Sequence, residues 1–262
     1  MFCNHGCMVV FGFNPIIFLF FFVVGIVLFI FGFHYLKLKR LIENIPTSKI
    51  RSIAMGLVEI FGEVETMTEH TLKSPFTWID CVYYRYKIEE YRQSGKGGGH
   101  WFTIKSGDES MLFYLKDETG KVIIDSRGAK IVLSKDNRFQ SGFGKDPPAS
   151  AMPFLKKHNV RYEGMLFGIN KKMRYTEWFI QPKDKLYVMG TASDNPYVED
   201  ASVESGVEDV MIQKGKHQKM YYISDKSERG VISSFMWKAY GATILGSILI
   251  ILGIITLSMY LI

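Results

Sequence analysis

The sequence predicts a membrane protein in which two transmembrane α-helices flank a mostly β soluble domain, barrel-like or sandwich-like with a minor helical part. Long uncharged apolar runs at both ends of the 262 residues predict the helices. Between them, short segments of alternating apolar and polar residues recur between turn residues, which predicts the β domain. We therefore divide the chain into an N-terminal tail (1–15), a first span (16–36), a soluble domain with basic connectors (37–238) and a second span (239–262).

The second span is the clearer of the two. Ala239 to Ile262 is a run of 24 residues without a charge. As a helix it would be about 36 Å long, enough to cross a hydrocarbon core of roughly 30 Å. The run is entered through Trp237, Lys238 and Tyr240, which are residue types that favour the membrane–water boundary. We expect no folded domain to follow it.

The first span is predicted from Ile16 to Leu36, after Pro15. Its 21 residues would form a helix of about 31 Å. A cleaved signal peptide is the alternative, but it would carry a basic start, a shorter apolar core and a small-residue cleavage site. None of these is present in the first 36 residues, so we predict a permanent anchor.

The charges beside the two spans predict the orientation. Lys37 to Arg51 holds five basic residues and one acidic residue, and Lys214 to Lys238 holds six basic and two acidic. Basic residues are retained on the cytoplasmic side and are attracted to anionic lipid there. We expect an integral membrane protein whose soluble domain is cytoplasmic and whose termini are both outside. Lys37, Lys39 and Arg40 would then contact anionic headgroups, or they would serve only to set the topology.

Small residues in the spans predict helix packing. Gly25 and Gly32 lie seven residues apart in the first span, and Gly246 and Gly253 do so in the second, where Ala242 precedes Gly246 by four. Small residues on one helix face let two backbones approach closely in lipid. We expect the two helices to pair with each other, or protomers to pair into a homo-oligomer.

Composition indicates no nucleic-acid partner, no metal site and no cofactor. The net charge of +6 is concentrated beside the spans, and the acidic stretch from Leu186 to Gln213 lacks the ligand pattern of a calcium loop, so we predict a solvated loop there.

Cys81 lies in an apolar run and is predicted to be buried. Cys3, His5 and Cys7 alternate at the N-terminus, but three ligands without a fourth are a weak indication of metal.

The soluble domain reads as short strands. Asp80 to Tyr91 is the clearest, with Val82, Tyr84, Tyr86 and Ile88 on one face. The glycine-rich stretch Ser94 to Gly99 after it does not open a helix, so we predict a hairpin connection rather than a phosphate loop. Asn137 to Ser150 is predicted to be a loop and Met152 to Asn159 a short helix. Further strands are predicted at 51–65, 100–105, 111–125, 128–134, 174–180, 185–192 and 220–223.

A third helix is predicted to begin near Ser224 and to run into the second span. Asp225 and Glu228 have the spacing of a capping box.

No catalytic residue is predicted. The histidines of the soluble domain are scattered, at His70, His100, His158 and His217, and no nucleophile lies in a recognised motif. Asp80 and Cys81 are neighbours on a strand and should point to opposite faces, which argues against a dyad. A membrane-associated hydrolase stays open as an alternative, because catalytic triads are spatial.

Five ordered blocks of the chain resemble the GIDE-type domain, also called the "beside a membrane" domain. They are PTSKIRSIAMGLVEIFGEV (Pro46 to Val64), SPFTWIDCVYYRYKIEEY (Ser74 to Tyr91), VIIDSRGAKI (Val122 to Ile131), YTEWFIQPKDKLYVMGTA (Tyr175 to Ala192) and YYISDKSE (Tyr221 to Glu228). The resemblance covers nearly all of the loop between the spans. In mitochondrial membrane-anchored ubiquitin ligases this domain lies between two membrane helices, in the intermembrane space, which differs from the cytoplasmic side predicted here.

The resemblance implies a membrane-anchored binding, sensing or scaffold module, in the manner of prokaryotic relatives associated with membrane stress or signalling. In the ligases, catalysis belongs to a zinc-binding RING after the second helix, and the pattern of Cys and His pairs it needs is not found in this sequence. We therefore expect an unidentified protein partner and no intrinsic ligase chemistry. The alternative is a ubiquitin-ligase component that uses a RING from another chain.

Overall fold

The structure is a computed structural model that describes residues 15–43, 47–95, 97–164, 170–196, 210–216, 220–226 and 228–261. The chain forms two compact units, a helical unit from its two ends and a β unit over Pro46–Glu228. The helices are α1 (Pro15–Glu43), α2 (Met152–Lys157) and α3 (Glu228–Leu261). The strands are β1 (Gly56–Thr66), β2 (Leu72–Lys73), β3 (Asp80–Cys81), β4 (Tyr83–Gln93), β5 (Gly99–Ser110), β6 (Phe113–Lys116), β7 (Lys121–Ile124), β8 (Lys130–Val132), β9 (Asn137–Ser141), β10 (Met173–Ile180), β11 (Lys185–Asp194), β12 (Val210–Gln213) and β13 (Tyr222–Ser224).

The helical unit contains two helices that are long and apolar enough to cross a membrane, over Leu19–Lys37 and Phe235–Ser258. Large apolar side chains on both are exposed, among them Phe33 at 62% and Ile244 at 59%. Such continuous apolar surface is not stable in water and is typical of a lipid-facing helix. Both helices extend beyond their apolar windows, and the predicted continuation of the third helix into the second apolar run is confirmed.

The capping box predicted for α3 depends on the Glu228 side chain, which lies outside the described residues, so this prediction stays open. The helix begins at Glu228, so Asp225 lies outside its first turn. The Asp225 carboxylate accepts a hydrogen bond from the Ser134 backbone N–H at 2.7 Å. The Asp225 side chain, which the local spacing assigned to the start of the helix, thus forms a hydrogen bond to a residue that is distant in the sequence.

Five strands of the β unit close into a barrel in the order β1-β6-β7-β12-β11, with β11 pairing back to β1. The closing pair is antiparallel and joins Gly56–Glu63 to Lys185–Ala192. β13 and β8 extend the same sheet from β11. The barrel core is mainly aliphatic, and Ile60, Leu115 and Val188 within it are completely buried.

A second sheet of four antiparallel strands has the order β5-β4-β10-β9, and β2 pairs with β3 in a small hairpin. Its core is aromatic: Phe76, Tyr86 and Tyr175 pack there with Leu155 of α2. The chain therefore contains a barrel together with an open sheet, so the predicted mostly β domain with a minor helical part is confirmed.

Three strand predictions are corrected. The strand predicted over Asp80 to Tyr91 is broken by a bend at Val82, whose side chain joins the barrel core rather than the face of Tyr84. The loop predicted over Asn137 to Ser150 contains β9, which pairs with β10. Val210–Gln213, within the predicted acidic loop, is β12 and pairs in parallel with β7. Long-range pairing overrides weak local patterns in the last two cases.

Candidate functional site

The turn between β2 and β3 is held by a network of its own hydrogen bonds. The Ser74 N–H donates to the Ile79 carbonyl at 2.9 Å, and the Trp78 N–H donates to the Ser74 carbonyl at 3.1 Å. The Ser74 hydroxyl lies 2.8 Å from the Thr77 hydroxyl and accepts from the Ile79 N–H at 3.1 Å. Serine followed by proline favours such a turn, because the serine side chain bonds nearby backbone groups and Pro75 has a preset φ.

A buried carboxylate of the second sheet anchors this turn. Glu177, on β10, is completely buried. Its carboxylate accepts hydrogen bonds from the Phe76 N–H at 3.0 Å, from the Thr77 hydroxyl at 2.5 Å and from the Asn137 amide at 3.1 Å. A buried charge is tolerated only when its hydrogen-bonding positions are filled. The three donors satisfy the carboxylate, and the two that belong to the turn, at Phe76 and Thr77, hold it against the sheet.

The anchored turn presents Trp78 in a strained conformation. Its φ is +60°, in the left-handed region that costs a non-glycine residue about 1–2 kcal/mol. The side chain is 52% exposed, and its indole N–H donates to the Ser150 carbonyl at 2.7 Å. A large aromatic residue is thus kept at the surface by its surroundings and at a cost to the backbone.

Trp78 borders a cleft of about 290 Å³ between the turn, the β4–β5 hairpin and α2. Two of its lining residues, Phe154 and His158, have ring centroids 4.2 Å apart, and the Phe154 ring also packs on the buried Tyr86 ring with a centroid distance of 4.8 Å. The lining consists of Lys73, Ser74, Pro75, Trp78, Tyr84, Glu109, Pro153, Phe154, Lys157 and His158. Aromatic walls with a few polar groups are typical of a ligand-binding surface.

The polar groups of the cleft are mostly held in place. The Tyr84 hydroxyl donates to the Glu109 carboxylate, and burial together with this bond raises the pKa of Tyr84. Partial burial and the charges of Lys105 and Lys157 lower the pKa of His158, which favours the neutral imidazole. This arrangement can bind an apolar group and place a cation, Lys157, beside it.

Cys81 is not suited to thiol chemistry. It is free and completely buried, as predicted, and its thiol donates to the Leu72 carbonyl at 3.6 Å. Burial raises the pKa of the thiol to about 12, so it is protonated at neutral pH. The neighbouring Asp80 is exposed on the opposite side of the strand, as expected, and the two side chains do not form a dyad.

The structure places the predicted membrane-interface residues at one end of the helical unit. Lys37 and Arg40 are exposed near the end of α1, while Lys39 forms an ion pair with Glu43 at 3.1 Å. Trp237 is 81% exposed near the start of α3, where Lys238 and Tyr240 are exposed as well. The ring centroids of Tyr35 and Phe235 lie 6.2 Å apart, which brings these two stretches together.

The predicted packing glycines face the opposite helix within the same unit. Gly25, Gly32, Gly246 and Gly253 are buried, and Ala242 is half-buried. A Cβ placed on Gly246 would lie 2.7 Å from the Phe29 nitrogen and 2.8 Å from the Gly25 carbonyl oxygen. A Cβ on Gly32 would lie 2.7 Å from the Thr243 nitrogen. Here α1 and α3 are antiparallel and their backbones are in contact.

Two predicted features lie outside the described residues. Cys3, His5 and Cys7 precede the described range, and the central acidic residues from position 197 to 209 fall in one of its gaps. Among the described residues, no group of three or more His, Cys, Asp or Glu side chains could hold a metal ion.

Sequence reasoning missed the cleft. Trp78, Tyr84, Phe154 and His158 are separated by up to 80 positions and share no spacing motif. A Ser-Pro turn that ends in tryptophan was the available indication, since a large aromatic residue in a turn has no core-forming role.

Comparison with known protein families supports a single assignment. A sequence model described as GIDE, E3 ubiquitin ligase, matches residues 83–258, which is more than half of the chain. No curated protein and no solved structure matches this chain. The matched region includes most of the barrel, the whole second sheet and most of α3. This chain therefore belongs to the GIDE family.

Proposed function

We propose that this chain is a membrane-anchored binding module of the GIDE family, whose cleft beside Trp78 receives a segment of a partner protein. The observation that carries the proposal is the strained, exposed Trp78 on a turn that buried Glu177 holds in place. Backbone strain of this kind concentrates at binding and catalytic sites, because there it preorganises a contact.

The lining of the cleft favours a segment that combines an apolar side chain with an acidic one. Trp78, Phe154 and the two prolines offer apolar contact. Lys157 is exposed at the end of α2, whereas Lys73 is paired with Asp80 at 2.7 Å and Glu109 is engaged by Tyr84. Lys157 is thus the cation best placed to meet an acidic group.

The two apolar helices would keep this module at a bilayer. The exposed Lys37, Arg40 and Lys238 are suited to anionic headgroups, at about 1 kcal/mol for each residue near the surface. The same charges support a cytoplasmic β unit with both termini outside. A role in membrane-associated signalling or stress response would suit a partner-binding module held in this way.

Photo-cross-linking in cells tests the module. We expect p-benzoylphenylalanine at position 78 of the full chain to form a discrete adduct with a partner. The matched control is the same group at position 143, since Phe143 is 86% exposed and outside the cleft. Adding Lys157→Glu should reduce the adduct at least fivefold. Equal adducts at both positions would contradict the cleft, and an adduct insensitive to Lys157→Glu would contradict the acidic segment.

A second candidate function is that of a ubiquitin-ligase component that uses a RING from another chain. The description of the family as E3 ubiquitin ligase favours it. The test is ubiquitin transfer with purified full chain, a conjugating enzyme and the proteins cross-linked at position 78. Transfer that requires both the chain and a cross-linked RING protein would support this function. Transfer by the chain alone would contradict the proposal that it lacks ligase chemistry.

The orientation is testable by labelling. In a Cys3→Ser, Cys7→Ser background, Phe143→Cys should react with a membrane-impermeant maleimide in inside-out vesicles and be protected in right-side-out vesicles. The reverse pattern would place the β unit outside.

A further inference from the structure

A second cavity of the β unit, of about 250 Å³, lies where the edge strand β8 covers the face of the four-stranded sheet. It is lined by Tyr83, Arg85, Ile131, Val132, Leu133 and Trp178. It shares no residue with the cleft beside Trp78. Its volume suits a ligand smaller than a typical drug-sized molecule.

The strand register explains why its polar residues converge. Arg85 and Trp178 are direct partners across β4 and β10, and Tyr83 pairs with Ile180 two positions further along. Residues in register, and residues two apart on a strand, lie on the same face of a sheet. The guanidinium, the indole and the phenol therefore share the face that β8 covers.

Tyr83 is the unusual group in this cavity. The residue is only 1% exposed, and its hydroxyl forms no hydrogen bond of normal geometry in the part of the chain that the structure describes, although the Arg85 guanidinium is near enough to interact with it. A buried hydroxyl without a partner costs about 1–3 kcal/mol, so proteins retain few of them. An unpaired hydroxyl in a cavity is accounted for if a ligand pairs with it.

Arg85 supplies the charge. One of its N–H groups donates to the Ile131 carbonyl at 3.3 Å, and its guanidinium carbon lies 5.8 Å from the Tyr83 ring centroid. Within the described residues it forms no ion pair, although the exposed Asp108 is its cross-strand neighbour on β5. A guanidinium has five N–H donors in a fork that matches a carboxylate, so most of them are available to a ligand.

We propose that the cavity bounded by Tyr83, Arg85 and Trp178 binds a small organic carboxylate. The carboxylate accepts hydrogen bonds from the Arg85 guanidinium and from the Tyr83 hydroxyl, while the apolar body of the ligand packs against Trp178, Ile131 and Leu133. The site is independent of the partner-binding cleft, so either proposal can fail without the other.

The test uses full chain in uncharged detergent, with 4-fluorobenzoate as the probe and 4-fluorobenzamide as its neutral counterpart. The ¹⁹F NMR signal of the carboxylate should broaden and shift saturably, and the amide should bind at least tenfold more weakly. Arg85→Gln should weaken carboxylate binding at least thirtyfold, and Tyr83→Phe three- to tenfold. Arg138→Gln removes the same charge from β9, outside the cavity, and should leave binding unchanged.

Stability provides a separate readout for Tyr83. Without ligand, Tyr83→Phe removes an unpaired buried hydroxyl and should leave the unfolding temperature unchanged or raise it. A lowered unfolding temperature would show that the hydroxyl is already satisfied without a ligand, by water or by Arg85, and the proposal would be wrong. It would also be overturned by equal binding of the amide, by no saturable binding of 4-fluorobenzoate, or by equal losses in Arg85→Gln and Arg138→Gln. Binding of a peptide with a free C-terminal carboxylate, without binding of 4-fluorobenzoate, would overturn the proposal as well.

Discussion

The two units of this protein achieve close packing in opposite ways. In the helical unit, α1 and α3 come into backbone contact where side chains are missing, at Gly25, Gly32 and Gly246. In the β unit, the barrel closes around large side chains such as Ile60 that are completely buried in its interior. We propose that the helical unit lies in lipid, which supplies little hydrophobic driving force between helices, so contact there depends on close backbone approach. A core in water depends instead on buried apolar volume. Removing atoms from side chains should therefore destabilise the β unit, and adding atoms at the glycines should disrupt the packing of the helical unit.

The largest effect is expected from removing volume in the barrel. Ile60→Ala would leave a cavity at the centre of β1 and lower the free energy of unfolding by about 3 kcal/mol, within the usual 2–5 kcal/mol. Denaturation of the full chain in detergent, followed by near-UV circular dichroism, measures it. Phe61→Ala, at the next and partly exposed position, should cost less than about 1 kcal/mol. Similar losses in both variants would contradict the assignment of the core.

The next largest effect is expected from adding side-chain volume between α1 and α3. In Gly32→Leu the new side chain would collide with Thr243, and we expect a cost of about 1–3 kcal/mol to helix pairing. The measurement is the disulfide yield of a Tyr35→Cys and Phe235→Cys pair, which should fall by more than half. Gly241→Leu is the matched control, because a Cβ at Gly241 meets no atom within 4 Å. A yield that falls equally in the control would mean that volume between the helices is not the cause.

Removing a charge without removing volume should have a smaller effect. Glu177→Gln keeps the shape of the side chain but directs an amide N–H₂ at one of three donors, which we expect to cost about 2 kcal/mol. Loss of order at Trp78 should appear in the fluorescence spectrum. Glu63→Gln, an exposed glutamate on β1, serves as control. An unchanged stability of Glu177→Gln would show that the carboxylate does not hold the turn.

The smallest effect concerns pH. The Arg174 guanidinium, 2.6 Å from the Glu89 carboxylate, and Lys87 lower the pKa of Glu89 to about 2. A depressed folded-state pKa contributes stability above the ordinary value near 4.5 and loses it as the pH falls towards 2. We expect about 1–2 kcal/mol to be lost in this window. The stability difference between the wild type and Glu89→Gln should therefore narrow from pH 5 to pH 2, and a constant difference would contradict the prediction.

Much of the secondary structure was predictable because it depends on local patterns. The two apolar helices follow from hydropathy alone, and β10 and β11 follow from alternation bounded by a proline turn. β9 was not predictable, because Asn137–Ser141 is polar and becomes a strand only by pairing with β10. The break at Val82 has a similar origin, since its N–H donates to the Ile180 carbonyl at 2.9 Å and draws the residue into the barrel.

The cleft and the cavity were less predictable than the strands. Alternation shows which side chains share a face of a strand, as for Tyr83 and Arg85, but it does not show which other strand lies beside that face. Trp178 and Ile131 reach Arg85 only through the pairing of β4 with β10 and through the position of β8 at the end of the seven-stranded sheet.

By itself, the sequence determined two apolar helices and a mostly β body between them, because hydropathy and alternation are properties of neighbouring residues. It also determined membership of the GIDE family. Only the tertiary structure decided that five strands close into a barrel, that Glu177 fixes Trp78 at a cleft and that the buried Tyr83 hydroxyl lies beside Arg85. These outcomes depend on contacts between residues far apart in the sequence, such as Phe76 and Glu177, which are 101 positions apart. Such contacts are settled by the packing of the whole β unit rather than by any local pattern.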